Sequence, residues 1–533
     1  MTDEETDRQR EVLDAMARPG FYPRPTQTVE CRETHISVVF LTDEFACKVK
    51  KPVSLGFLDF GTLEQRRRFC EEEVRLNRRL APDVYEGVFP ITRGESGPEW
   101  NGDGEPMEYA VLMRRLPADR TLPEMRKRGE CGAEELDRLA EVLAGFFRSV
   151  PAASRAGGLD TVRENCDENF RQLAELAAIL PPGIADATGV QRAAENFLHR
   201  FADRFDARLT EGHVREGHGD LRGEHVYLLP DGIRIIDCIE FNERMRINDL
   251  ASDLAFLLMD LDYRGDREAG EIFLARFLER HPDAGLLGML DFYRCYRACV
   301  RWKVAGFQWA EAAPKKRKAL ERRMKRCGAL AREYARAMAT PALYVVMGVI
   351  AAGKSTVADA LGAALGEPVF RSDEIRRELF GPAEGEAETR EFGAGVYGPE
   401  STGQVYAVLK ARAEQRLRAG KTAVLDATYR GPERRRALRR MAAELGVPIL
   451  FVECRCPMSV IRERLSRREG SESELSDARL AHLEAFLETY APPSEIPDAE
   501  HCEADTTRSP RVLAAEAFFS AGAAVRSAFR KSN

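Results

Sequence analysis

The sequence predicts two domains of different class, an α+β domain at residues 1–338 and an α/β domain with a parallel sheet at residues 339–533. Its 533 residues exceed what one hydrophobic core usually supports. After residue 342, short apolar segments alternate with helical ones, which is the pattern of a parallel sheet flanked by helices. Before that point a β-rich segment precedes a largely helical one, which indicates a small lobe followed by a larger helical lobe.

The strands of the second domain are predicted from apolar, β-branched runs bounded by polar residues or glycine. They are 343–347, 369–370, 422–426, 449–453 and 501–504. Helices are expected between them. Gly420 and Gly446 each stand just past a predicted helix end, where a left-handed residue commonly terminates a helix.

The first domain opens with a predicted β-hairpin at residues 36–50 that turns at residues 42–44. A charged helix is predicted at residues 63–80, and a further strand at residues 109–113. The remainder is mainly helical. It ends in a long helix rich in Lys, Arg, Ala and Leu at residues 314–338, immediately before the domain boundary.

The composition of the chain bears on its binding partners, on the oxidation state of its cysteines and on its cellular location. The net charge of −7, from 80 basic and 87 acidic residues, gives no general preference for nucleic acid or anionic membrane. The 12 cysteines show no C-x-x-C pairs at zinc spacing, so we expect reduced thiols in a cytoplasmic protein. The acidic N-terminal segment does not read as a signal peptide, and no apolar run approaches the ~20 residues that cross a bilayer.

Residues 343–356 form an apolar strand that runs into G-x-x-x-x-G-K-S, the phosphate-binding motif of P-loop enzymes. Its glycines let the backbone turn several N–H groups toward one point, and the following helix adds its positive end. Lys354 can reach the β- and γ-phosphates, and the Ser355 hydroxyl can ligate Mg²⁺. The motif therefore predicts ATP and Mg²⁺ as cofactors. The predicted nucleotide-binding residues are Gly348, Gly353, Lys354, Ser355 and Thr356.

Acidic residues follow the next two strands of this domain. Asp373 can accept the proton of an attacking hydroxyl, and Arg376, with Arg377 beside it, can pair with a substrate phosphate or carboxylate. A helix-capping Asp with a surface Arg is the alternative explanation. Asp426 ends a buried strand, where α/β ligand sites form, so it can hold Mg²⁺ through water or orient Arg376.

Four arginines, 462, 464, 467 and 468, lie on a predicted helix that runs into a polar loop. In a phosphoryl-transfer enzyme such a segment is a natural lid, whose arginines offset charge on the transferring group. We assign Arg464 to that catalytic role, and Arg462 and Arg467 to the nucleotide. A solvated basic helix face is the alternative.

Together these residues resemble the P-loop kinases of the polynucleotide kinase, zeta-toxin and gluconate kinase type, with the polynucleotide kinase pattern most similar. The resemblance implies that Asp373 is the general base and that Arg376 grips a phosphate of the acceptor. It also implies that Asp426 positions Arg376. The glycine-rich polar residues 381–403 would then be a mobile loop next to the acceptor.

A second cluster lies in the first domain, where His-Gly-Asp-Leu-Arg-Gly-Glu-His at residues 218–225 is followed by Ile-Ile-Asp-Cys-Ile-Glu at residues 235–240. These place two acids on loops that flank a short hairpin with Gly232 at its turn. Asp220 can accept a hydroxyl proton, and Asp237 ends an apolar strand and can hold Mg²⁺. The spacing predicts a second kinase-like site.

This half of the chain resembles the aminoglycoside phosphotransferase family, a branch of the protein-kinase-like fold with two lobes. The resemblance implies that Asp220 is the catalytic base and Asp237 a metal ligand. It implies that Lys48 contacts the α- and β-phosphates and pairs with Glu73. Lys50 lies on the same strand face and is a rival for that role.

The resemblance runs from about residue 30 to residue 310, with residues 109–115 as the hinge beside adenine. Two features depart from the family. His225 stands where the second metal ligand is normally Asn, and imidazole suits Mn²⁺ or Zn²⁺ better than Mg²⁺. No clear Gly-rich loop covers the phosphates, so this lobe can differ in how it binds nucleotide.

The whole arrangement is similar to bacterial proteins described as bifunctional aminoglycoside phosphotransferase/ATP-binding proteins. The leading hypothesis is an ATP-dependent kinase whose C-terminal domain phosphorylates the 5′-hydroxyl of a polynucleotide. A small-molecule kinase acting on a sugar, nucleotide sugar or antibiotic is the second. The third is a nucleotide-switched binding protein with one degenerate site.

Overall fold

The computed structural model describes residues 3–55, 58–154, 156–381, 395–468 and 483–530. The chain divides into two compact units, residues 1–165 with 205–269, and residues 166–204 with 270–533. The second unit includes residues 166–204 and 270–338, which the sequence analysis assigns to the first domain. The two divisions of the chain therefore differ. None of the helices in the described ranges is long and apolar enough to span a membrane.

The strands of the first unit form a six-stranded antiparallel sheet in the order β1-β2-β3-β8-β6-β7 and three small two-stranded sheets. They are β1 (Glu30–Glu33), β2 (Ser37–Leu41), β3 (Phe45–Lys50), β4 (Ser54–Leu55), β5 (Leu58–Asp59), β6 (Tyr85–Gly94), β7 (Gly97–Trp100), β8 (Pro106–Arg114), β9 (Val214–Glu216), β10 (Val226–Leu229), β11 (Gly232–Ile235) and β12 (Ile247–Asp249). The predicted hairpins are confirmed as β2–β3 and β10–β11.

The helices up to residue 339 include the predicted charged helices near residues 63 and 314, which are confirmed. They are α1 (Asp3–Met16), α2 (Leu63–Asn77), α3 (Leu122–Lys127), α4 (Ala133–Ser149), α5 (Leu159–Ala177), α6 (Thr188–Arg200), α7 (Ala202–Thr210), α8 (Glu243–Arg246), α9 (Leu250–Arg264), α10 (Arg267–Arg280), α11 (Leu286–Glu311) and α12 (Pro314–Ala339).

Helix α2 carries a site residue, and its start is well determined. The Thr62 hydroxyl accepts the N–H of Gln65, and the Gln65 side chain accepts the N–H of Thr62, which is a capping box. Glu73 lies on the buried face of this helix, which packs against β8. On β3, Lys48 and Lys50 share one face of the strand because side chains alternate.

The second unit contains a five-stranded parallel sheet in the order β14-β15-β13-β16-β17, which confirms the predicted α/β class. The strands are β13 (Leu343–Met347), β14 (Val369–Arg371), β15 (Ala423–Asp426), β16 (Ile449–Arg455) and β17 (His501–Asp505). The helices after residue 339 are α13 (Lys354–Leu365), α14 (Ser372–Phe380), α15 (Pro399–Arg418), α16 (Pro432–Leu445), α17 (Met458–Arg468), α18 (Leu483–Thr489) and α19 (Pro510–Arg530).

Every residue of β13 is buried, and apolar side chains of the sheet pack with those of α14, α15 and α16. The carboxyl ends of β13, β14 and β15 come together at one edge because the strands are parallel and adjacent. Asp426 pairs in register with Arg371 on one side and Val346 on the other. Of the predicted loop at residues 381–403, positions 382–394 lie outside the described residues, and α15 begins at Pro399.

Candidate active sites

Two lysines and two glutamates form a buried ionic chain in the first unit. Lys48 Nζ lies 2.8 Å from Glu73 Oε1, and Lys50 Nζ lies 2.7 Å from Glu73 Oε2. Lys50 also pairs with Glu240. The side chains of Lys50 and Glu73 are 1% exposed and that of Glu240 is 5% exposed, so Lys50 is enclosed by its partners.

Lys48 occupies the more open end of this chain, where its Nζ lies 3.0 Å from Oδ1 of the half-exposed Asp237. The Lys48 ammonium holds the pKa of the Asp237 carboxyl well below its usual range. Burial works against charge on Glu73, but the two lysines outweigh it and lower the pKa of Glu73. Burial raises the pKa of Glu240. The geometry therefore places Lys48 at the site and Lys50 behind it.

The predicted base Asp220 is held by an arginine that the sequence analysis did not single out. Arg222 Nε donates to Asp220 Oδ1 at 2.8 Å, and Nη2 donates to Oδ2 at 2.7 Å. Burial opposes charge on Asp220, but the Arg222 guanidinium outweighs it and holds the pKa of Asp220 well below its usual range. Asp220 is thus ionised, with both oxygens engaged.

His225 is fixed in one orientation beside these acids. Its Nδ1 lies 2.9 Å from the Asp220 carbonyl oxygen, which can only accept, so Nδ1 carries the proton. Its Nε2 lies 3.5 Å from Asp237 Oδ2 and accepts from Arg222 Nη2 at 3.0 Å. Burial, followed by the charge of Arg222, lowers the pKa of His225. The ring is therefore neutral, and its Nε2 lone pair accepts the Arg222 N–H beside Asp237.

Asp220, His225 and Asp237 together fit a divalent cation. One ligand atom from each lies within 4.8 Å of the others. A neutral imidazole whose other nitrogen is bonded to a backbone carbonyl is the usual state of a metal-bound histidine. Asp237 has φ of 65°, a left-handed conformation that is uncommon outside glycine and that clusters at functional sites.

Two further side chains hold the loop that carries Asp220. His218 accepts the Asp220 N–H at Nδ1 (3.3 Å), and its Nε2 donates to the Ile236 carbonyl at 3.0 Å, which joins the two acidic loops. Asp253 accepts the N–H groups of His218 and Gly219 at 2.6 and 3.0 Å. Asp253 therefore braces the loop from the first turn of α9.

The P-loop of the second unit has the backbone that a phosphate cradle needs. Gly348 and Gly353 have φ of 138° and 88°, and Ala351 between them has φ of 57°. A Cβ on Gly348 would lie 2.6 Å from the Cys454 carbonyl oxygen, so only glycine fits there. Lys354 is the first residue of α13, and its Nζ donates to the Val349 carbonyl at 2.8 Å.

Asp426 lies beside this loop at the end of β15 and is 5% exposed. Burial raises the pKa of Asp426, and Lys354, a hydrogen bond from Ser355 and Arg371 work in the opposite direction. Its Oδ2 lies 3.5 Å from Arg371 Nε, which is buried without a hydrogen-bond partner. The Ser355 hydroxyl and the Asp426 carboxylate are oxygen donors of the type that Mg²⁺ prefers, so they fit that cation.

The structure does not bring Asp426 to Arg376 among the described residues. Arg376 is 8% exposed, donates to the Val396 carbonyl and stacks on the Tyr397 ring, with Cζ 4.4 Å from the centroid. Asp373 lies half-buried in the first turn of α14, and Arg377 is exposed on that helix. The residue that does face Asp426, Arg371, ends β14 and was missed because only strand register brings it there.

The arginines of α17 separate into different environments. Arg464 donates to the carbonyls of Ala351 and Thr506 at 3.4 and 2.9 Å and to the Thr506 hydroxyl at 3.0 Å, so it braces the P-loop backbone. Arg462 is exposed, and Arg467 pairs with Glu463 at 2.6 Å. The side chain of Arg468 lies outside the described residues.

An open cavity of about 390 Å³ adjoins the start of α13. Its lining is Ala351, Gly353, Thr356, Val357, Arg464, Arg467, Thr506, Arg508, Pro510 and Leu513. It combines apolar surface with three arginines at the positive end of a helix, a combination that suits the base, ribose and phosphates of a nucleotide.

Two family models match the chain, one before and one after residue 339. The model of the phosphotransferase enzyme family matches residues 57–295, and that of an AAA domain matches residues 343–493. A Mycobacterium tuberculosis protein named Uncharacterized protein Rv2004c is 32% identical over 464 residues, covering 86% of this chain and 90% of its own. A Mycobacterium bovis protein matches equally.

Solved structures align with part of the chain. A choline/ethanolamine kinase family protein from Mesorhizobium loti covers 62% of this chain and 99% of its own at 13% identity, with a TM-score of 0.38. Aminoglycoside 2′-phosphotransferase-IIIa covers 60% and 98% at 16% identity, with a TM-score of 0.35. Kti12 from Chaetomium thermophilum covers 35% and 99% at 20% identity, with a TM-score of 0.28.

The chain is an ATP-dependent kinase that joins a phosphotransferase domain to a P-loop kinase domain. It belongs to the family of the mycobacterial proteins, which it matches over nearly their whole length. Such domains use ATP with a divalent metal and transfer phosphate to an acceptor that bears a hydroxyl group.

Proposed function

We propose that the second unit transfers the γ-phosphate of ATP to the 5′-hydroxyl of a polynucleotide. The observation that carries this proposal is that Lys354, Ser355 and Asp426 meet at the carboxyl edge of one parallel sheet, where α14 with Asp373 in its first turn directly follows β14. That edge joins a phosphate cradle to an ionisable acid, which are the two parts that phosphoryl transfer needs.

In this proposal Asp373 takes the proton from the acceptor hydroxyl. The acceptor oxygen forms a bond to the γ-phosphorus while the bond from that phosphorus to the β,γ-bridging oxygen breaks, so ADP leaves with the electron pair. Lys354 offsets charge on the β- and γ-phosphates. Arg464 supports the loop backbone, and Arg462, Arg467 and Thr356 face the nucleotide. Mg²⁺, held through Ser355 and Asp426, would neutralise phosphate charge when bound.

The first unit is proposed as a second ATP site, with Lys48 at the phosphates, Asp237 and His225 on the cation, and Asp220 as base. Arg222 donates to both oxygens of Asp220 and stabilises the charged carboxylate, which makes Asp220 a weaker base. Mn²⁺ suits the imidazole ligand better than Mg²⁺ does. The same pairing supports a second candidate, in which this unit binds nucleotide without transferring phosphate.

The test is transfer of radiolabelled γ-phosphate from ATP to a panel of acceptors. The panel holds 5′-hydroxyl DNA and RNA oligonucleotides, nucleosides, sugars, nucleotide sugars and an aminoglycoside. Asp373→Ala and Asp220→Ala are compared with the wild type and with Glu444→Ala and Glu134→Ala, which alter exposed acids elsewhere.

Label at the oligonucleotide 5′ end that is lost in Asp373→Ala alone supports the proposal. Label confined to a small molecule contradicts the polynucleotide assignment, and the sensitive variant then identifies the responsible unit. If neither Asp220→Ala nor a loss of Lys48 changes transfer while the first unit still binds ATP, that unit is a nucleotide-binding module.

A further inference from the structure

Arg434 and Arg376 each place their guanidinium group over a tyrosine ring. Binding of ATP at the P-loop does not require either contact. Arg434 Cζ lies 3.9 Å from the centroid of the Tyr406 ring, and Arg376 Cζ lies 4.4 Å from that of Tyr397. Stacking fixes the plane of a guanidinium while leaving its N–H groups to point outward at the ring's edge. Both side chains are therefore held ready to donate hydrogen bonds.

Their donors are largely unused within the described residues. Each guanidinium has five N–H groups. Arg376 gives one hydrogen bond, to the Val396 carbonyl, and its Nε is buried without a partner. Arg434 makes the ring contact with Tyr406 and no hydrogen bond or ion pair to another described residue. A buried unsatisfied donor in a native protein calls for a ligand or an ordered water.

A short series of contacts ties Arg434 to the P-loop. The Gly348 N–H donates to the Thr428 carbonyl at 3.5 Å, and the Thr428 hydroxyl lies 3.0 Å from the Tyr406 hydroxyl. The Tyr406 hydroxyl also accepts the N–H of Tyr429 at 3.2 Å. Tyr406 is thereby fixed at the acceptor edge of the sheet, and Arg434 with it.

The two other arginines of this helix that are not exposed each have an acidic partner. Arg435 is fully buried and pairs with Glu495, and Arg439 pairs with Glu500. Arg434 lies on the same helix, partly buried, and stacks on an aromatic ring instead of pairing with an acid. The difference fits a side chain whose partner is an anion brought by a ligand.

We propose that Arg434 binds a second anionic group of the acceptor, distinct from the phosphate assigned to Arg376. Two separately anchored guanidinium groups can bind an acceptor that carries more than one anionic group, as a nucleotide chain does. This inference rests on the proposed function, because it places the acceptor at the Asp373 and Asp426 edge. Arg434 then favours acceptors with at least two phosphates over those with one.

The test compares two acceptors with the full-length protein and ATP. One is a nucleoside 3′-phosphate, with one phosphate, and the other is a dinucleotide 3′-phosphate, with two; both have a free 5′-hydroxyl. Arg434→Met should raise KM for the dinucleotide about tenfold, the usual worth of one lost charge-assisted contact, and change KM for the mononucleotide less than about twofold.

Arg376→Met should raise KM for both acceptors, and Arg440→Met, an exposed arginine of the same helix, should change neither. Arg434→Lys keeps the charge but loses the fork and should recover part of the loss. The inference is overturned if Arg434→Met affects both acceptors equally or neither.

If the wild type phosphorylates neither acceptor, the proposed function fails. Binding of the two compounds to protein saturated with Mg²⁺ and ADP, measured by calorimetry, then tests the anion site at Arg434 separately. Dinucleotide binding that is weaker in Arg434→Met, with an unchanged melting temperature, supports the second anion site. Equal binding in the two proteins rejects it.

Discussion

The two candidate sites differ in whether their charged side chains already have partners within the protein. In the first unit each charged group already has a protein partner: Lys48 with Asp237 and Glu73, and Asp220 with Arg222. In the second unit Arg376 and Arg434 rest on aromatic rings with donors unused among the described residues. A ligand of the first site must therefore replace existing ion pairs, whereas a ligand of the second adds missing partners.

This difference teaches what to expect from mutation at each site. Removing one member of a paired buried network leaves its partner uncompensated, so the first site should respond mainly in stability and metal affinity. Removing a residue whose partner comes with the ligand should leave folding intact and change catalysis or acceptor binding. The predictions below are ordered by the size of the expected effect.

The largest effect is expected from Lys354→Met in the P-loop. Loss of the ammonium that we propose to face the β- and γ-phosphates should lower kcat of acceptor phosphorylation by about a hundredfold to a thousandfold, with an unchanged melting temperature. Steady-state kinetics and a melting curve check this. Lys410→Met, an exposed lysine on α15, is the matched control. Full activity in Lys354→Met would remove the P-loop from the reaction.

Next comes Lys50→Met in the first unit. It leaves Glu73 and Glu240 buried together without their shared cation, so the free energy of unfolding should fall by about 3–5 kcal/mol. Adding Glu240→Gln should restore part of that loss because it removes the carboxylate left without a cation, whereas Glu73 keeps Lys48. Urea unfolding measures both, with Lys51→Met as control. A double variant less stable than the single one would mean that Lys50 does not serve as the shared partner.

A smaller change is expected in metal affinity when His225 is replaced. The measurement uses the Lys354→Met variant, so that the metal binding observed is that of the first unit. In this background His225→Ala should weaken Mn²⁺ binding about tenfold. Electron spin echo spectra of bound Mn²⁺ should lose the modulation of an imidazole nitrogen. Arg222→Ala should act oppositely and tighten binding, because it frees the His225 Nε2 and both Asp220 oxygens. Nitrogen modulation that persists in His225→Ala would exclude this ligand.

The smallest effect concerns Glu453, a buried carboxylate of the second unit whose partners are all protein groups. Burial opposes its charge, but hydrogen bonds from His501, Arg455 and Tyr490 outweigh it and lower the pKa of Glu453 to about 2. An unfolded glutamate has a pKa of about 4.3. The folded pKa lies lower, so the stabilisation is complete above about pH 4.3 and is lost as pH falls toward 2.

Glu453→Gln should therefore reduce the change in unfolding free energy between about pH 5 and about pH 3, by ~1–2 kcal/mol. Chemical unfolding at the two pH values measures it. Glu444→Gln, an exposed acid on α16, should leave the pH dependence as it is. Equal pH dependence in wild type and Glu453→Gln would contradict the stabilising role of this cluster.

Sequence reasoning succeeded where the signal is local. The P-loop, the β2–β3 and β10–β11 hairpins and the strand that ends at Asp426 each depend on neighbouring residues, so motif and periodicity were sufficient. Lys48 and Lys50 could not be separated in this way, because both lie on one face of β3. Only packing shows that Lys50 is enclosed by Glu73 and Glu240, whereas Lys48 reaches Asp237.

Most of the contacts that were missed depend on distant parts of the chain. Arg371 meets Asp426 through the parallel register of β14 and β15, and Arg434 meets Tyr406 through the approach of α16 to α15. Arg222 could have been suspected, since it lies two residues from Asp220, but its bidentate geometry depends on the loop conformation. These tertiary contacts have no sequence period to reveal them.

The central claim is that the chain carries two ATP sites of different electrostatic design. Equilibrium binding of ATP with Mn²⁺, counted per chain, tests it most directly. We expect two molecules for the wild type, one for Lys354→Met, one for Lys48→Met and none for the double variant. A single molecule in the wild type, abolished by one of these substitutions and untouched by the other, would contradict the account.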